Sequence, residues 1–225
     1  MPELVILGTA VSVPDAEHDT VALVLRGPEW AVLIECSGSS LYKLAQVGIP
    51  RDHLSAVILT HRHADHVYGL PMLVQGAWLG GRTTPLPIYG PQETLDIGLQ
   101  MLQLYDLDKQ ANMFPLLWRP VPLREDQHVW TFGGVRITAW PTCHGDLDTL
   151  ALRLENEARG NAIVYSSDRA QPGCGAPGNR RRPVDPRGHG GPRWAFYTGP
   201  SGRGRPRGGR IAPGLDSLSR RRAQP

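Results

Sequence analysis

The chain has 225 residues, of which 40% are hydrophobic and 20% charged, with a formal net charge of +3. That length gives one or two domains with a well-buried core, and the absence of a basic-plus-apolar leader and of any run near about 18 apolar residues argues against a secreted or membrane-spanning protein. Cys36, Cys143 and Cys174 are an odd number without Cys-x-x-Cys spacing, which fits a reducing cytoplasm.

The first sixty residues predict four strands, Leu4–Leu7, Val21–Leu25, Ala31–Ile34 and Leu54–Leu59, separated by Gly, Pro and Asp punctuation. Between the last two, Ser39–Val47 predicts a helix capped by Ser39 and closed by Gly48. Directly after the fourth strand comes Thr60-His61-Arg62-His63-Ala64-Asp65-His66, which crowds three imidazoles and a carboxylate into six residues. Such a cluster repels itself and loses solvation unless a cation organises it, and imidazole with carboxylate but no thiolate suits Zn²⁺ while tolerating Mn²⁺ or Fe²⁺. Side chains two apart on an extended segment point the same way, so His61 and His63 can grip one ion. Asp65 and His66 face elsewhere and suit a second ion about 3.5–4 Å away, the arrangement of two-metal hydrolases. The alternative is a solvated His-rich turn without chemical importance.

Downstream, Asp65–Leu79 has helical periodicity interrupted at Pro71, and Pro91–Leu107 forms a second helix with apolar positions at Leu95, Leu99, Leu102 and Leu104. Strands follow near 86–89, 127–130, 134–140, 148–154 and 161–166. Two of these strands end in further candidate ligands. The alternating run 135–140 leads into Pro141-Thr142-Cys143-His144-Gly145, presenting His144 on a loop, and Ala162–Tyr165 leads into Ser166-Ser167-Asp168. Taken singly, each is more often a capped loop residue than a ligand; beside the 61–66 cluster they complete a metal site. Thr60, Ser166 and Ser167 are candidates for fixing the imidazole tautomers. Strand-rich stretches interleaved with helices, with ligands after strands, predict an α/β (α+β) sandwich of two sheets flanked by helices.

Thr60-His61-Arg62-His63-Ala64-Asp65-His66-Val67-Tyr68-Gly69-Leu70-Pro71, together with Leu7-Gly8-Thr9, the Pro-x-x-His ending at His144, and Tyr165-Ser166-Ser167-Asp168, resembles the metallo-β-lactamase superfamily, most closely its ribonuclease Z-like branch. The resemblance covers residues 1 to about 168. It implies an αββα sandwich, incomplete at the C-terminus, and two zinc ions, one held by His61, His63 and His144, the second by Asp65 and His66, with Asp168 bridging both. It also implies a hydroxide between the ions as nucleophile, with Asp65 as the candidate catalytic residue. Physically, two cations and a bridging carboxylate lower the pKa of bound water from about 15.7 towards about 7. Expected substrates are phosphodiesters, with the 3′ trailer of precursor tRNA the most specific candidate. A homodimer is left open as the assembly state.

After residue 170 the composition changes. Residues 171–225 hold twelve Gly, nine Pro and twelve Arg, without apolar periodicity. Twelve arginines against Asp185 and Asp216 give +10, leaving the first 170 residues at −7 from twelve basic and nineteen acidic groups. The expected division is therefore a hydrolase domain over 1–170 and a disordered tail over 171–225. Three readings of the tail compete: an Arg/Gly-rich arm that binds RNA phosphates, a plain disordered extension, and a shifted reading frame. The third is favoured, because two lysines against twenty-two arginines indicate GC-rich coding and the change falls where the fold should continue.

The family's remaining second-metal ligands have no matching context here, and His189 in Arg187-Gly188-His189-Gly190 is not assigned as one. The expectation is a chain that holds its first metal better than its second and is a weak or inactive catalyst. Only twenty-three residues separate His144 from Asp168, too few for the long flexible arm that many ribonuclease Z enzymes carry there. Alternatives to the phosphodiesterase reading are another hydrolase of the superfamily acting on a sulfate ester, thioester or lactam, an RNA-binding protein acting through its tail, and an inactive truncated product. Trp78, Trp118, Trp130 and Trp140 read as core or pocket wall rather than base-stacking platforms.

Overall fold

The computed structural model describes residues 1–168 and the backbone of a short strand at Trp194–Ala195. Six strands, β1 (Glu3–Gly8), β2 (Ala22–Arg26), β3 (Ala31–Ile34), β4 (Leu54–Ile58), β5 (Leu86–Gly90) and β6 (Leu116–Pro120), form one sheet in sequence order. Pairing is antiparallel from β1 to β3 and parallel from β3 to β6. The second sheet is antiparallel and contains β7 (Gln127–Phe132), β8 (Val135–His144), β9 (Leu147–Asn156), β10 (Asn161–Tyr165) and β11 (Trp194–Ala195).

The apolar runs of β2, β3 and β4 are continuous because both faces of the first sheet are covered. Val24, Leu33 and Val57 point into one core, with α1 (Ser40–Gln46), α3 (Leu70–Leu79) and α4 (Gln92–Leu104). Their neighbours Leu23, Leu25, Val32, Ile34, Ala56 and Ile58 point into the other, against Ile137, Ala139, Leu150 and Leu152 of the second sheet. This two-residue alternation stacks helices, first sheet and second sheet as three layers of the expected sandwich, a mixed α/β metallo-β-lactamase fold. Trp30 and Trp130 pack in a tilted pair with ring centroids 5.1 Å apart in the second core, and Trp78 and Trp118 pack against the first, so these indoles are structural.

Four local features depart from the sequence reading. The helix expected over Asp65–Leu79 is two helices, α2 (Ala64–Val67) and α3, with Pro71 in the first turn of α3, where proline is tolerated. The break falls at Tyr68–Gly69 because the chain there presses on the loop after β3: Gly69 N donates to Cys36 O at 2.8 Å. Ser39 occupies the N-cap position of α1 without a side-chain capping bond. β8 continues through Pro141 to His144, where a loop was expected, because the Leu150 N–H opposite Pro141 donates instead to Thr60 O at 3.1 Å and the proline forfeits no ladder bond. β6 was not anticipated at all.

The twenty-three residues between His144 and Asp168 are taken up by β9, β10 and their turns, which leaves no room for an inserted arm. Trp194–Ala195 extends the second sheet by pairing with Val164 and Tyr165. The other expectations for residues 171–225, including the disordered tail and His189, lie outside the described residues. Among the described residues no helix is long and apolar enough to cross a membrane.

A methyl group on Gly69 would stand 2.5 Å from Gly38 O and 2.7 Å from Cys36 O, both backbone atoms that cannot rotate away. Gly69→Ala should therefore cost about 1–3 kcal/mol of stability, as overpacking generally does, measured by denaturant unfolding.

Candidate metal centre

The ends of β3, β4, β8 and β10 meet at one rim of the two stacked sheets, and the six candidate ligands gather there. His61 and His63 lie on the loop leaving β4, and Asp65 and His66 sit in α2 immediately after it. His144 ends β8 at a two-residue hairpin turn whose first member, Gly145, has φ +60, the conformation such turns give to glycine. Asp168 follows β10.

The ligand atoms fall into two groups, His61, His63, His144 and Asp168, and Asp65, His66 and Asp168, each with its atoms within 4.8 Å of one another. His63 Nδ1 stands 3.1 Å from His61 Nε2 and 3.0 Å from His144 Nε2. Asp168 Oδ2 lies 3.9 Å from His144 Nε2 and 3.6 Å from His66 Nε2, which is itself 3.7 Å from Asp65 Oδ2. The carboxylate shared between the groups is Asp168.

Behind the ligands lies a residue that the sequence reading missed. Glu35, directly after β3, is fully buried and holds a left-handed backbone (φ 63). Its Oε1 accepts from Thr60 Oγ1 at 2.5 Å and Tyr165 OH at 3.1 Å, and its Oε2 accepts from Thr60 N at 3.1 Å. His66 Nδ1 lies 3.2 Å from Glu35 Oε1, with the distance but not the alignment of a hydrogen bond. The one cue in the sequence was an acid directly following a buried apolar run.

Proton counting then fixes a tautomer. A hydroxyl has one proton and two lone pairs. Thr60 gives its proton to the Glu35 carboxylate, so Ser167 Oγ, 2.6 Å away, and His61 Nδ1, 3.2 Å away, must both donate to Thr60. His61 therefore carries its proton on Nδ1 and turns an unprotonated Nε2 toward His63 and His144. Of the candidates for this supporting role, Thr60 and Ser167 fill it, whereas Ser166 Oγ donates to the Ser167 carbonyl at 3.2 Å. Ser167, like Glu35, is fully buried with a left-handed backbone (φ 54). Such conformations cost about 1–3 kcal/mol each and persist only where surrounding contacts enforce them.

The electrostatics divide the site. Burial, followed by the neighbouring imidazoles of His66, His144 and His63, holds His61 far below the usual histidine range and keeps it neutral. Burial also lowers His144, outweighing the pull of Asp168. Burial alone would lower His66, but Glu35 and Asp168 overcome it and raise the ring to about 10. Desolvation would raise Asp168, yet His66 and the other imidazoles bring it below the ordinary carboxylate value. The carboxylates thus demand positive charge at His66, which a proton on the ring or a cation beside it can supply.

The donor set fits divalent cations. Neutral imidazole nitrogens on a tetrahedral ion at about 2.0–2.1 Å would stand about 3.3 Å apart, close to the 3.0–3.1 Å separations around His63 Nδ1. A single proton among those three nitrogens leaves two lone pairs facing one point, a repulsion that a cation relieves. His66 Nε2 is buried without a hydrogen bond and faces Asp65 and Asp168. Asp65 also lines a cleft of about 290 Å³, together with Ser12, Pro14, Thr20, Ala64 and Tyr68.

Comparison with known proteins agrees with this geometry. Residues 31–185 match the family described as Beta-lactamase superfamily domain. The chain is 29% identical over 178 residues to "Ribonuclease Z" of Mycobacterium bovis (strain BCG / Pasteur 1173P2), covering 75% of this chain and 63% of that protein. It is 31% identical over 160 residues to "Ribonuclease Z" of Bradyrhizobium diazoefficiens, covering 69% of this chain and 50% of that protein. The chain thus spans between half and two thirds of the length of these relatives. Among solved structures, the short form of human tRNase Z superposes with a TM-score of 0.63 at 20% identity, covering 75% of this chain and 69% of that one. A rim of imidazoles and carboxylates on this sandwich, and a family match over most of the described residues, lead to one assignment: the chain belongs to the β-lactamase superfamily and is ribonuclease Z-like.

Proposed function

We propose that the chain is a divalent-metal-dependent phosphodiesterase acting on RNA, with the 3′ end of precursor tRNA as its most specific candidate substrate. The observation that carries this reading is the gathering of six ligand side chains into two groups that share Asp168. The ribonuclease Z relatives favour RNA over the other ester and amide substrates hydrolysed on this fold. The proposal assigns His61, His63 and His144 to one ion, Asp65 and His66 to another, and Asp168 to both. Zinc suits the nitrogen-rich first group, and manganese or iron is compatible with the second. When bound, such a pair of cations supplies activated water and neutralises charge on a phosphodiester.

The chain's own groups do the positioning. Thr60, held by Glu35, keeps the proton of His61 on Nδ1, and the Glu35 carboxylate lies 3.2 Å from His66 Nδ1, so both Nε2 atoms face the reaction space. Asp65 reaches the wall of the cleft, where its carboxylate can orient a water and take its proton as the water oxygen bonds to phosphorus and the ester oxygen departs with its electron pair, to be protonated as an alcohol. Tyr68 stands beside it, 44% exposed although aromatic, and offers a surface for the group flanking the scissile phosphate.

Two outcomes follow. Weak zinc-dependent cleavage of precursor tRNA and of bis-(p-nitrophenyl) phosphate by the full chain, abolished by chelation and restored by zinc, is expected; Asp65→Asn should lower kcat by about 10²–10⁴-fold, the usual weight of a general base. A chain that binds zinc yet cleaves neither substrate contradicts the proposal. Glu35→Gln should weaken zinc binding by about 10–100-fold in a chelator competition, because it frees the imidazoles to rotate without removing a ligand.

A further inference from the structure

Glu93 lies in the first turn of α4, and its carboxylate reaches two elements remote in sequence. Oε2 accepts from Arg62 Nε at 3.2 Å, and Arg62 stands between His61 and His63. Oε1 accepts from the backbone N–H of Asp148 at 3.0 Å, four residues beyond His144. Asp148 and Leu150 lie on the edge of β9 that turns away from β8. Two residues apart on a strand, their N–H groups point the same way, and they are taken by Glu93 Oε1 and by Thr60 O respectively. Besides the close approach of His144 Nε2 to His63 Nδ1, the hairpin carrying His144 is thus tied to the His61–His63 loop by a backbone bond and by Glu93.

The anchorage of Glu93 itself is firm. α4 begins directly after β5, which pairs in parallel with β4, the strand that leads into His61. Each Glu93 contact is weak when taken alone, because Arg62 and Glu93 are partly solvent-exposed. Their value lies in where they act. The Asp148 tie lies between the Leu150 contact and the turn that carries His144, so it acts on the part of the hairpin nearest the imidazoles of His144 and His63.

We infer that Glu93 is a positioning residue for the three-histidine half of the site, its carboxylate clamping the His144 hairpin to the His61–His63 loop. This rests on the reading of the site as a metal centre.

The test uses the full chain with Zn²⁺ in competition with a chromogenic chelator, and Co²⁺ as a spectroscopic probe. Glu93→Ala should weaken Zn²⁺ binding by about tenfold or more and alter the visible absorption of bound Co²⁺, with the melting temperature of the metal-free protein little changed. Glu93→Gln, which keeps an oxygen for the Asp148 N–H, should recover most of the affinity. Affinity within twofold of wild type for Glu93→Ala, an unchanged Co²⁺ spectrum, or a Glu93→Gln no better than Glu93→Ala overturns the inference. Should Glu93→Ala fail to fold, Glu93→Asp, too short to span both partners, is read by the same criterion against wild type: weaker binding supports the clamp and equal binding overturns it. Wild-type protein that binds no Zn²⁺ removes the metal reading and this inference together, whereas tight wild-type binding matched by the variants removes only this one.

Discussion

Glu35 has no access to water, so its carboxylate must be matched inside the protein, and the groups that match it come from three separate elements bordering the site. Thr60 brings the loop after β4, Tyr165 brings β10, and His66 brings α2. A buried carboxylate with several donors is stable, whereas the same carboxylate with one donor missing is costly. The site therefore assembles as a unit. The left-handed backbones of Glu35 and Ser167, on either side of Thr60, are the local strain that this convergence sustains.

The sandwich explains why the convergence happens at a rim. Alternating side chains of β2, β3 and β4 feed two separate cores, which fixes each strand's face and register and leaves the strand ends as the places where chemistry can be added without opening a core. The second sheet approaches through β9, whose Leu150 N–H meets the Thr60 carbonyl. The hydroxyl of one threonine thus organises the protons around the ligands while its carbonyl docks the sheet that carries His144.

Much of this was legible from sequence because it rests on local signals. Continuous apolar runs marked β2, β3 and β4, and the density of His and Asp at 61–66 marked the site. Other features depend on contacts between distant residues and carry little local signal. Glu35 reads as one acid at a turn until Thr60 and Tyr165 are beside it, and Glu93 reads as a helix-start acid until the β9 edge is in place. Pro141 reads as a strand terminator, yet β8 runs through it because the facing N–H is engaged elsewhere. The break between α2 and α3 is set by the approach of the chain at Cys36 to Gly69, not by Pro71.

The central claim is that this rim, organised by Glu35, holds divalent cations at two neighbouring points that share Asp168. Anomalous diffraction at the zinc edge from crystals of the full chain grown with zinc tests it most directly. The account predicts two peaks, the stronger among His61, His63, His144 and Asp168 and a weaker one among Asp65, His66 and Asp168. Zinc absent from the rim, or bound there without Asp168 between the peaks, would contradict it.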